Sequence, residues 1–243
     1  MEIATKPTPL ALSIYVSLIA VVASTAVAWR VDLFQWDVDI TRWVQDFSTG
    51  PARFLRGWIF WMGIRGVAGA LMVALFALLW LRRHRVEAIF LGLISIPDLF
   101  NLGLREIIGR SRPTGDLVNV LTGYGGVQGF SYPSGHSLHV LLFYGFLLYL
   151  ATRFVANRLL VRTLWTGGVA YMLLSGLWLI YDGRHWFTDV MGGYIYGAFY
   201  LLVLIVAYRW ANRWLEHNDV TKLAHLLPRF LRKPAEQLLR LIG

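Results

Sequence analysis

The sequence contains no cysteine, which excludes disulfide bonds, thiolate nucleophiles and cysteine-ligated metal sites. It is also poor in charge, because only 15% of its 243 residues are Asp, Glu, Lys or Arg, whereas soluble domains carry roughly a quarter. Negative charge is the scarcer sign, with 14 acidic residues against 23 basic ones. The composition therefore excludes a disulfide scaffold, a cysteine-dependent enzyme and an ordinary soluble surface.

Apolar residues make up 57% of the chain and stand in long runs. A bilayer core of about 30 Å needs roughly 20 apolar residues in helical conformation. We therefore predict an all-α integral membrane protein, a six-transmembrane-helix bundle that forms one domain over residues 1–243. The predicted helices are residues 10–29, 58–81, 86–104, 137–154, 159–181 and 189–210.

Two further stretches mix apolar and charged residues. Residues 31–56 combine aromatic side chains with Asp and Arg, a pattern typical either of a helix lying flat in the membrane interface or of a covered loop. Residues 211–243 are predicted to form a cytoplasmic amphipathic tail. Short polar motifs fall between these two stretches, in a core of residues 86–210.

The net charge of +9 does not indicate a nucleic-acid partner here, because basic residues of hydrophobic proteins more often set topology or contact anionic lipids. Arginine and lysine cluster in the second and fourth connections and in the tail, which predicts that these regions are cytoplasmic. The arginines of the first connection do not follow this bias. We expect the third and fifth connections to face the periplasm or outside, and by analogy we expect a bacterial inner (plasma) membrane.

Three polar islands, residues 105–113, 133–136 and 185–189, stand where apolar segments begin or end. Together they hold cations, two imidazoles, a hydroxyl and a carboxylate. This inventory suits a phosphate monoester or anhydride bound at the edge of a bilayer.

The first island offers Arg105 and Arg112, whose planar forked donors match phosphate oxygens. They share a helical face if the third helix continues to Pro113, which would end it. Asp98 and Asn101 precede Arg105 by seven and four positions, so we predict that they hold it in place. The alternatives are arginines that reach the head groups as membrane anchors and polar residues that only bond helix to helix.

The second island precedes a long apolar helix, so its backbone amides lie at a helix start, where anions are attracted. Ser134 and Gly135 can donate hydrogen bonds to phosphoryl oxygens, and His136 can protonate a leaving oxygen. The alternative is a simple turn followed by a helix cap.

The third island places His185 and Asp189 four positions apart, a spacing that stacks a carboxylate over an imidazole. A histidine oriented in this way can act as a covalent nucleophile toward phosphorus. Half of a metal site or a satisfied polar pair are the alternatives. No further ligand cluster stands nearby in the sequence, so we predict chemistry without metal or other cofactor.

In the order and spacing of these islands, the chain resembles the type 2 phosphatidic acid phosphatase (PAP2) superfamily of membrane lipid phosphatases. The family motifs are Lys-x6-Arg-Pro, Pro-Ser-Gly-His and Ser-Arg-x5-His-x3-Asp, on a six-helix bundle. The resemblance implies catalysis through a phosphohistidine on lipid phosphates or isoprenoid diphosphates. It assigns phosphate binding to Arg105, Arg112, Ser134 and Gly135, and the roles of general acid, nucleophile and orienting carboxylate to His136, His185 and Asp189.

The chain departs from the family pattern at two places. Arg105 stands where the family has lysine, and Trp178-Leu179 stand where it has Ser-Arg. One phosphate-binding arginine is therefore missing, and Arg184 or Arg110 is the candidate to replace it. We accordingly keep two alternatives to hydrolysis: a lipid phosphotransferase with the same intermediate, and a catalytically weak lipid-binding or transport-associated protein. The expected partners are a lipid phosphate or isoprenoid diphosphate substrate and membrane lipids, with the oligomeric state left open.

Overall fold

The structure, a computed structural model, describes residues 9–47, 65–121, 129–217 and Lys233. Within these ranges the secondary structure is entirely helical, which confirms the predicted all-α class. The helices are α1 Pro9–Arg30, α2 Gln35–Asp46, α3 Arg65–Leu81, α4 Arg85–Leu93, α5 Ser95–Ile108, α6 Gly135–Phe154, α7 Arg158–Tyr181 and α8 Phe187–His217.

Five segments of the described chain are long and apolar enough to cross a membrane: Pro9–Arg30, Arg85–Ile108, Gly135–Phe154, Arg158–Tyr181 and Phe187–Glu216. They match five of the six predicted helices. The remaining helix, predicted second in the chain at residues 58–81, begins outside the described residues. Its described part, Val67–Leu81, is shorter than a full span. The count of six therefore stays a prediction, as does the tail, which lies almost wholly outside the described residues.

The third predicted helix is interrupted at Ile94, between α4 and α5. Pro97 lies in the first turn of α5, where the backbone N–H that proline lacks has no intrahelical partner to lose. The helix extends beyond the predicted end at residue 104 and stops at Ile108, short of Pro113. Gly109 has a φ of 69° and its N–H donates to the Arg105 carbonyl at 2.9 Å, a left-handed cap that glycine adopts without strain. The continuation to Pro113, on which a shared helical face of Arg105 and Arg112 depended, therefore does not occur.

Residues 35–46 form a helix. For this part of the 31–56 stretch, the predicted helical conformation is therefore confirmed. The buried face of α2 carries Asp37, Val38, Thr41 and Val44. Its aromatic side chains point away, with Trp36 50% and Trp43 62% exposed. A helix with exposed aromatic residues and a partly polar buried face suits the membrane interface, and its position there stays a prediction.

The chain divides into two compact units, of which the first comprises Met1–Ala68 and Ile94–Leu202. All three polar islands belong to this unit. Within it α8 packs closely against the start of α6, because a Cβ atom at Gly197 would lie 2.9 Å from the Leu138 carbonyl oxygen. Small residues allow such backbone approach between membrane helices, and here the approach brings the second and third islands together.

The second unit comprises Gly69–Leu93 and Val203–Gly243. Its described part contains most of α3, all of α4 and the C-terminal part of α8. Tyr208 donates to the Glu87 carboxylate at 2.6 Å, and its ring meets Phe90 edge-on with centroids 5.5 Å apart. The hydrogen bond satisfies a buried carboxylate that would otherwise destabilise an apolar environment.

Candidate active site

Arg105 lies in the last turn of α5 and reaches the second island. Its Nε donates to the Pro133 carbonyl at 3.0 Å. With its amide oxygen turned toward the guanidinium, Asn101 accepts from Nε and Nη2 of Arg105, both at 3.3 Å. Asn101 is thus placed to hold Arg105, as predicted.

Asp98, which was expected to hold Arg105 as well, has a different partner. Its Oδ2 lies 2.6 Å from Nδ1 of His139, and the His139 ring stacks on Phe143 with centroids 5.6 Å apart. The carboxylate therefore links α5 to α6 one turn beyond His136, which is the helix-to-helix role that the sequence left open.

Ser134 is fully buried and is the N-cap of α6. Its Oγ accepts from the Ser137 backbone N–H at 3.4 Å and from the Ser137 hydroxyl at 3.1 Å. Its backbone N–H donates to the Asp189 carbonyl at 3.0 Å. A hydroxyl that accepts these bonds still carries a hydrogen to donate, so capping and phosphate binding are compatible functions of Ser134.

Gly135 lies directly against the cation of the first island. A Cβ atom here would overlap Nη2 of Arg105 and lie 2.6 Å from the terminal amide atom of Asn101 that faces the guanidinium. Any larger residue would displace the guanidinium, so glycine is required for this close approach. His136 follows in the first turn of α6 and is half-buried, at the same helix start.

Arg112 connects the first island with the third. Its guanidinium is held by three backbone carbonyls, with Nε donating to Gly129 at 2.9 Å, Nη2 to Phe130 at 3.0 Å and Nη1 to Arg184 at 2.6 Å. The same Nη1 lies 3.2 Å from Nε2 of His185. Although α5 does not continue to Arg112, the folded chain brings this arginine to the predicted nucleophile.

His185 is 5% exposed and lies between opposite charges. Its Nδ1 is 3.6 Å from Oδ2 of Asp189, and its Nε2 faces Arg112. Burial, with smaller contributions from Arg112 and Arg105, lowers the pKa of His185 to about 4, although Asp189 acts in the opposite direction. The imidazole is therefore neutral at pH 7, and a proton on Nδ1 beside the carboxylate leaves the Nε2 lone pair on the side of the arginines.

The Asp189 carboxylate is completely buried and firmly held. Its Oδ2, the oxygen nearest His185, accepts from the Trp186 backbone N–H at 2.9 Å, and its Oδ1 accepts from Nη1 of Arg110 at 2.6 Å. These bonds orient the carboxylate that faces the imidazole.

Arg110, which the sequence offered as a possible phosphate ligand, is directed at the protein's own oxygens. Nη2 donates to Asp37 Oδ2 at 2.8 Å, Nη1 to Asp189 and to the Thr188 hydroxyl, and Nε to the Asp32 carbonyl at 2.9 Å. The sequence analysis missed the roles of Asp37 and Thr188. The available signal was Asp37 itself, a carboxylate on the α2 face that also carries Thr41 and Val44 at helical spacing.

At the position of the missing family arginine, Leu179 and Trp178 pack against a buried cluster that includes Ile180 and Tyr181. Arg184 lies nearer the surface, with 22% of its side chain exposed and its Nε 3.6 Å from Asp182 Oδ2. Between the two candidates for replacement, the geometry favours Arg184, because the donors of Arg110 point to buried carboxylates.

Residues 9–47, 65–121 and 129–217 contain no group of three or more His, Asp or Glu side chains arranged to hold a metal ion. The side chain beside His185 Nε2 is the Arg112 guanidinium. Its forked N–H donors are of the kind that matches phosphoryl oxygens.

Comparison with known proteins gives a family and a fold. A family model described as the PAP2 superfamily matches residues 88–214, more than half of the chain. The fold is similar to the crystal structure of a transmembrane PAP2 type phosphatidylglycerolphosphate phosphatase from Bacillus subtilis, with a TM-score of 0.66 and 20% sequence identity over 77% of this chain and 93% of that one. Among curated protein sequences none matches this chain.

Proposed function

The chain belongs to the PAP2 superfamily, and we propose that it is a membrane lipid phosphatase that hydrolyses a lipid phosphate monoester or an isoprenoid or lipid diphosphate. The observation that carries the proposal is the environment of His185, a buried neutral imidazole with a carboxylate on one side and a guanidinium 3.2 Å from its other nitrogen. In an integral membrane protein, such a nucleophile meets substrates whose phosphate lies at the bilayer surface.

In the first step, Nε2 of His185 attacks the terminal phosphorus, and the P–O bond to the departing lipid alcohol or lipid phosphate breaks. The electron pair of that bond stays on the leaving oxygen, which takes a proton from His136. Arg105, Arg112 and Arg184, with Ser134 and the Gly135 amide, bind the phosphoryl oxygens as charge develops on them. Asp189 stabilises the positive charge that forms on the imidazole.

In the second step, a water molecule attacks the phosphohistidine and transfers its proton to His136, which now acts as the base. The P–N bond breaks, inorganic phosphate leaves and neutral His185 is regenerated. The lipid tail enters laterally from the outer leaflet, with the site facing the periplasm or outside. No metal or other cofactor takes part in the proposed steps.

A phosphate-release panel tests the proposal on the purified protein in detergent. The panel contains phosphatidate, phosphatidylglycerophosphate, undecaprenyl diphosphate and phosphorylated lipid A, each assayed with and without EDTA. We expect release from at least one lipid, unchanged by EDTA and abolished by His185→Ala. Loss of activity with EDTA, restored by a divalent cation, would overturn the metal-free mechanism while leaving the phosphatase itself intact.

Leu179 at the position of the family arginine favours one further candidate, a catalytically weak lipid-binding protein. This candidate predicts that the wild-type protein binds a lipid phosphate but releases no more phosphate than His185→Ala. Addition of a lipid or sugar alcohol to the same assay separates hydrolysis from phosphotransfer, since a transferase passes phosphate to the acceptor instead of releasing it.

A further inference from the structure

Three charged side chains from distant parts of the first unit meet in a buried clamp, defined here as Asp37, Arg110 and Asp189. One guanidinium lies between two carboxylates, 2.8 Å from Asp37 and 2.6 Å from Asp189, and all three side chains are fully buried. The planar fork of arginine can hold two carboxylates in fixed directions, which the single ammonium of lysine cannot do. Because a buried unpaired charge is strongly destabilising, the three groups depend on one another.

Thr188 ties the clamp to the nucleophile's own segment. Its backbone N–H donates to Asp37 Oδ1 at 2.9 Å, and its hydroxyl donates to Asp37 Oδ2 at 2.6 Å. Thr188 immediately precedes Asp189 in the first turn of α8. Asp37 on α2 thus holds both the residue before the orienting carboxylate and the arginine that binds that carboxylate.

The charge balance of the clamp explains why two carboxylates are needed. If Arg110 were paired with Asp189 alone, the pair would carry no net charge. It would then stabilise a positive charge on His185 only weakly. With Asp37 as a second carboxylate, the trio keeps one net negative charge, and Asp189 Oδ2 faces the imidazole. A positive charge forms on that imidazole during phosphoryl transfer, and the remaining negative charge stabilises it.

We propose that Asp37 and Arg110 are positioning residues for phosphoryl transfer, which hold the Asp189 carboxylate aimed at His185. This inference rests on the proposed function. Neither residue touches substrate; each acts through Asp189. Helix α2 is therefore part of the catalytic apparatus as well as an amphipathic helix.

The first test is Asp37→Asn, which keeps the side chain's size and removes its charge. We expect kcat to fall about tenfold with KM within about twofold of wild type, because the effect lies on the transition state. Asp39→Asn is the matched control, since Asp39 is exposed two positions away on the same helix and accepts only a Gln35 hydrogen bond in the described contacts. Unchanged kcat in folded Asp37→Asn, or a loss in KM alone, would overturn the inference.

A double-mutant cycle separates positioning from a general effect on stability. If Asp37 acts through Asp189, then Asp37→Asn will cause no further loss of kcat in a protein that already carries Asp189→Asn. A purely structural role for Asp37 predicts instead that the two losses multiply. Arg110→Lys should lower kcat about a hundredfold, more than Asp37→Asn, because it removes the fork that holds Asp189 itself.

Folding is monitored by size-exclusion chromatography and thermal unfolding in detergent. If Asp37→Asn does not fold, Thr188→Val replaces it, because valine removes the hydroxyl bonds to the clamp but keeps the backbone bond to Asp37. We expect about a fivefold loss of kcat from this milder change, and no loss would overturn the inference.

A binding experiment keeps the clamp testable if no lipid is hydrolysed. Orthovanadate mimics the pentacoordinate phosphoryl group, so wild-type protein should bind it and His185→Ala should not. The clamp predicts about tenfold weaker vanadate binding for Asp37→Asn than for Asp39→Asn. Equal binding by these two variants would refute the clamp, whereas absent lipid hydrolysis beside clamp-dependent vanadate binding would refute only the proposed function.

Discussion

The two sides of the His185 ring use the same residue type for opposite purposes. On the Nε2 side, the Arg112 guanidinium is held by three neutral backbone carbonyls. On the Nδ1 side, the Arg110 guanidinium is held by two carboxylates. These acceptors of Arg112 are thus neutral dipoles, whereas the charge of Arg110 is outweighed by two carboxylates.

This contrast shows how one imidazole acquires direction. In the proposed mechanism, the Arg112 side attracts phosphate to Nε2, and the side with two carboxylates stabilises the proton on Nδ1. Two arginines only two positions apart in the sequence would then divide between substrate binding and the support of a carboxylate. The following predictions test this division in decreasing order of expected effect.

Replacement of the ring between the two sides should have the largest effect. We expect His185→Ala to lower kcat about 10⁴-fold or more, because it removes the nucleophile of both steps. His84→Ala is a suitable control, since the His84 side chain is 46% exposed and lies outside the polar islands. Phosphate release at saturating substrate measures both, and activity of His185→Ala near that of the control would show that His185 is not the nucleophile.

On the Nε2 side, the same substitution at two arginines should give unequal results. Arg112→Lys should lower kcat about a hundredfold, because an ammonium cannot bind three carbonyls and also face Nε2. Arg105→Lys should lower kcat less than about tenfold, since lysine keeps the charge and is the residue that the family motif has at this position. The kcat values of the two variants measure the difference, and equal losses would contradict the assigned roles.

Arg184, which lies nearer the surface, should contribute less to catalysis than Arg112. If Arg184 replaces the missing family arginine, Arg184→Ala should raise KM for the lipid phosphate about tenfold through the loss of one charge-assisted contact. Arg158→Ala, at the first residue of α7, is the comparison variant and should leave KM unchanged. A kinetic profile of Arg184→Ala that matches wild type would remove Arg184 from the phosphate-binding set.

The smallest effect is a displacement of the pH profile. Protonation of Nε2 destroys the nucleophile, so kcat/KM falls as the pH drops through the pKa of His185. Because burial and the neighbouring arginines lower that pKa to about 4, the acid limb should lie near pH 4 instead of near 6.5. Asp189→Asn should move the limb to still lower pH, because the carboxylate raises this pKa. A limb near pH 6.5 in wild type would show that His185 is not buried as described.

The sequence predicted much of the fold because its signals are local. Long apolar runs indicated five spans at nearly their observed places, and the amphipathic pattern of α2 indicated a helix. The predictions failed at helix ends. Gly109 ends α5 before Arg112 through its left-handed backbone, a conformation that competes with the helical continuation assumed from the spacing of Arg105 and Arg112.

The site was partly predictable for a similar reason. Spacing identified the three polar islands, and His185 with Asp189 lies within one helical turn. Spacing could not distinguish the functions of Arg110 and Arg112, because two arginines in one short segment have the same chemistry until their partners are known. Nor could spacing predict that Asp98 pairs with His139, which is 41 positions away on another helix.

Span length, periodicity and motif spacing are properties of neighbouring residues. They were therefore enough to predict a helical membrane protein of the PAP2 type whose polar residues stand at the ends of apolar segments. Which cation faces which anion depends instead on how the helices pack. Arg110 meets Asp37 and Asp189 across 73 and 79 positions of chain, and such pairs form only when helix packing brings their backbones together. Burial then gives these contacts their consequence, since removal from water strengthens each charge interaction around His185.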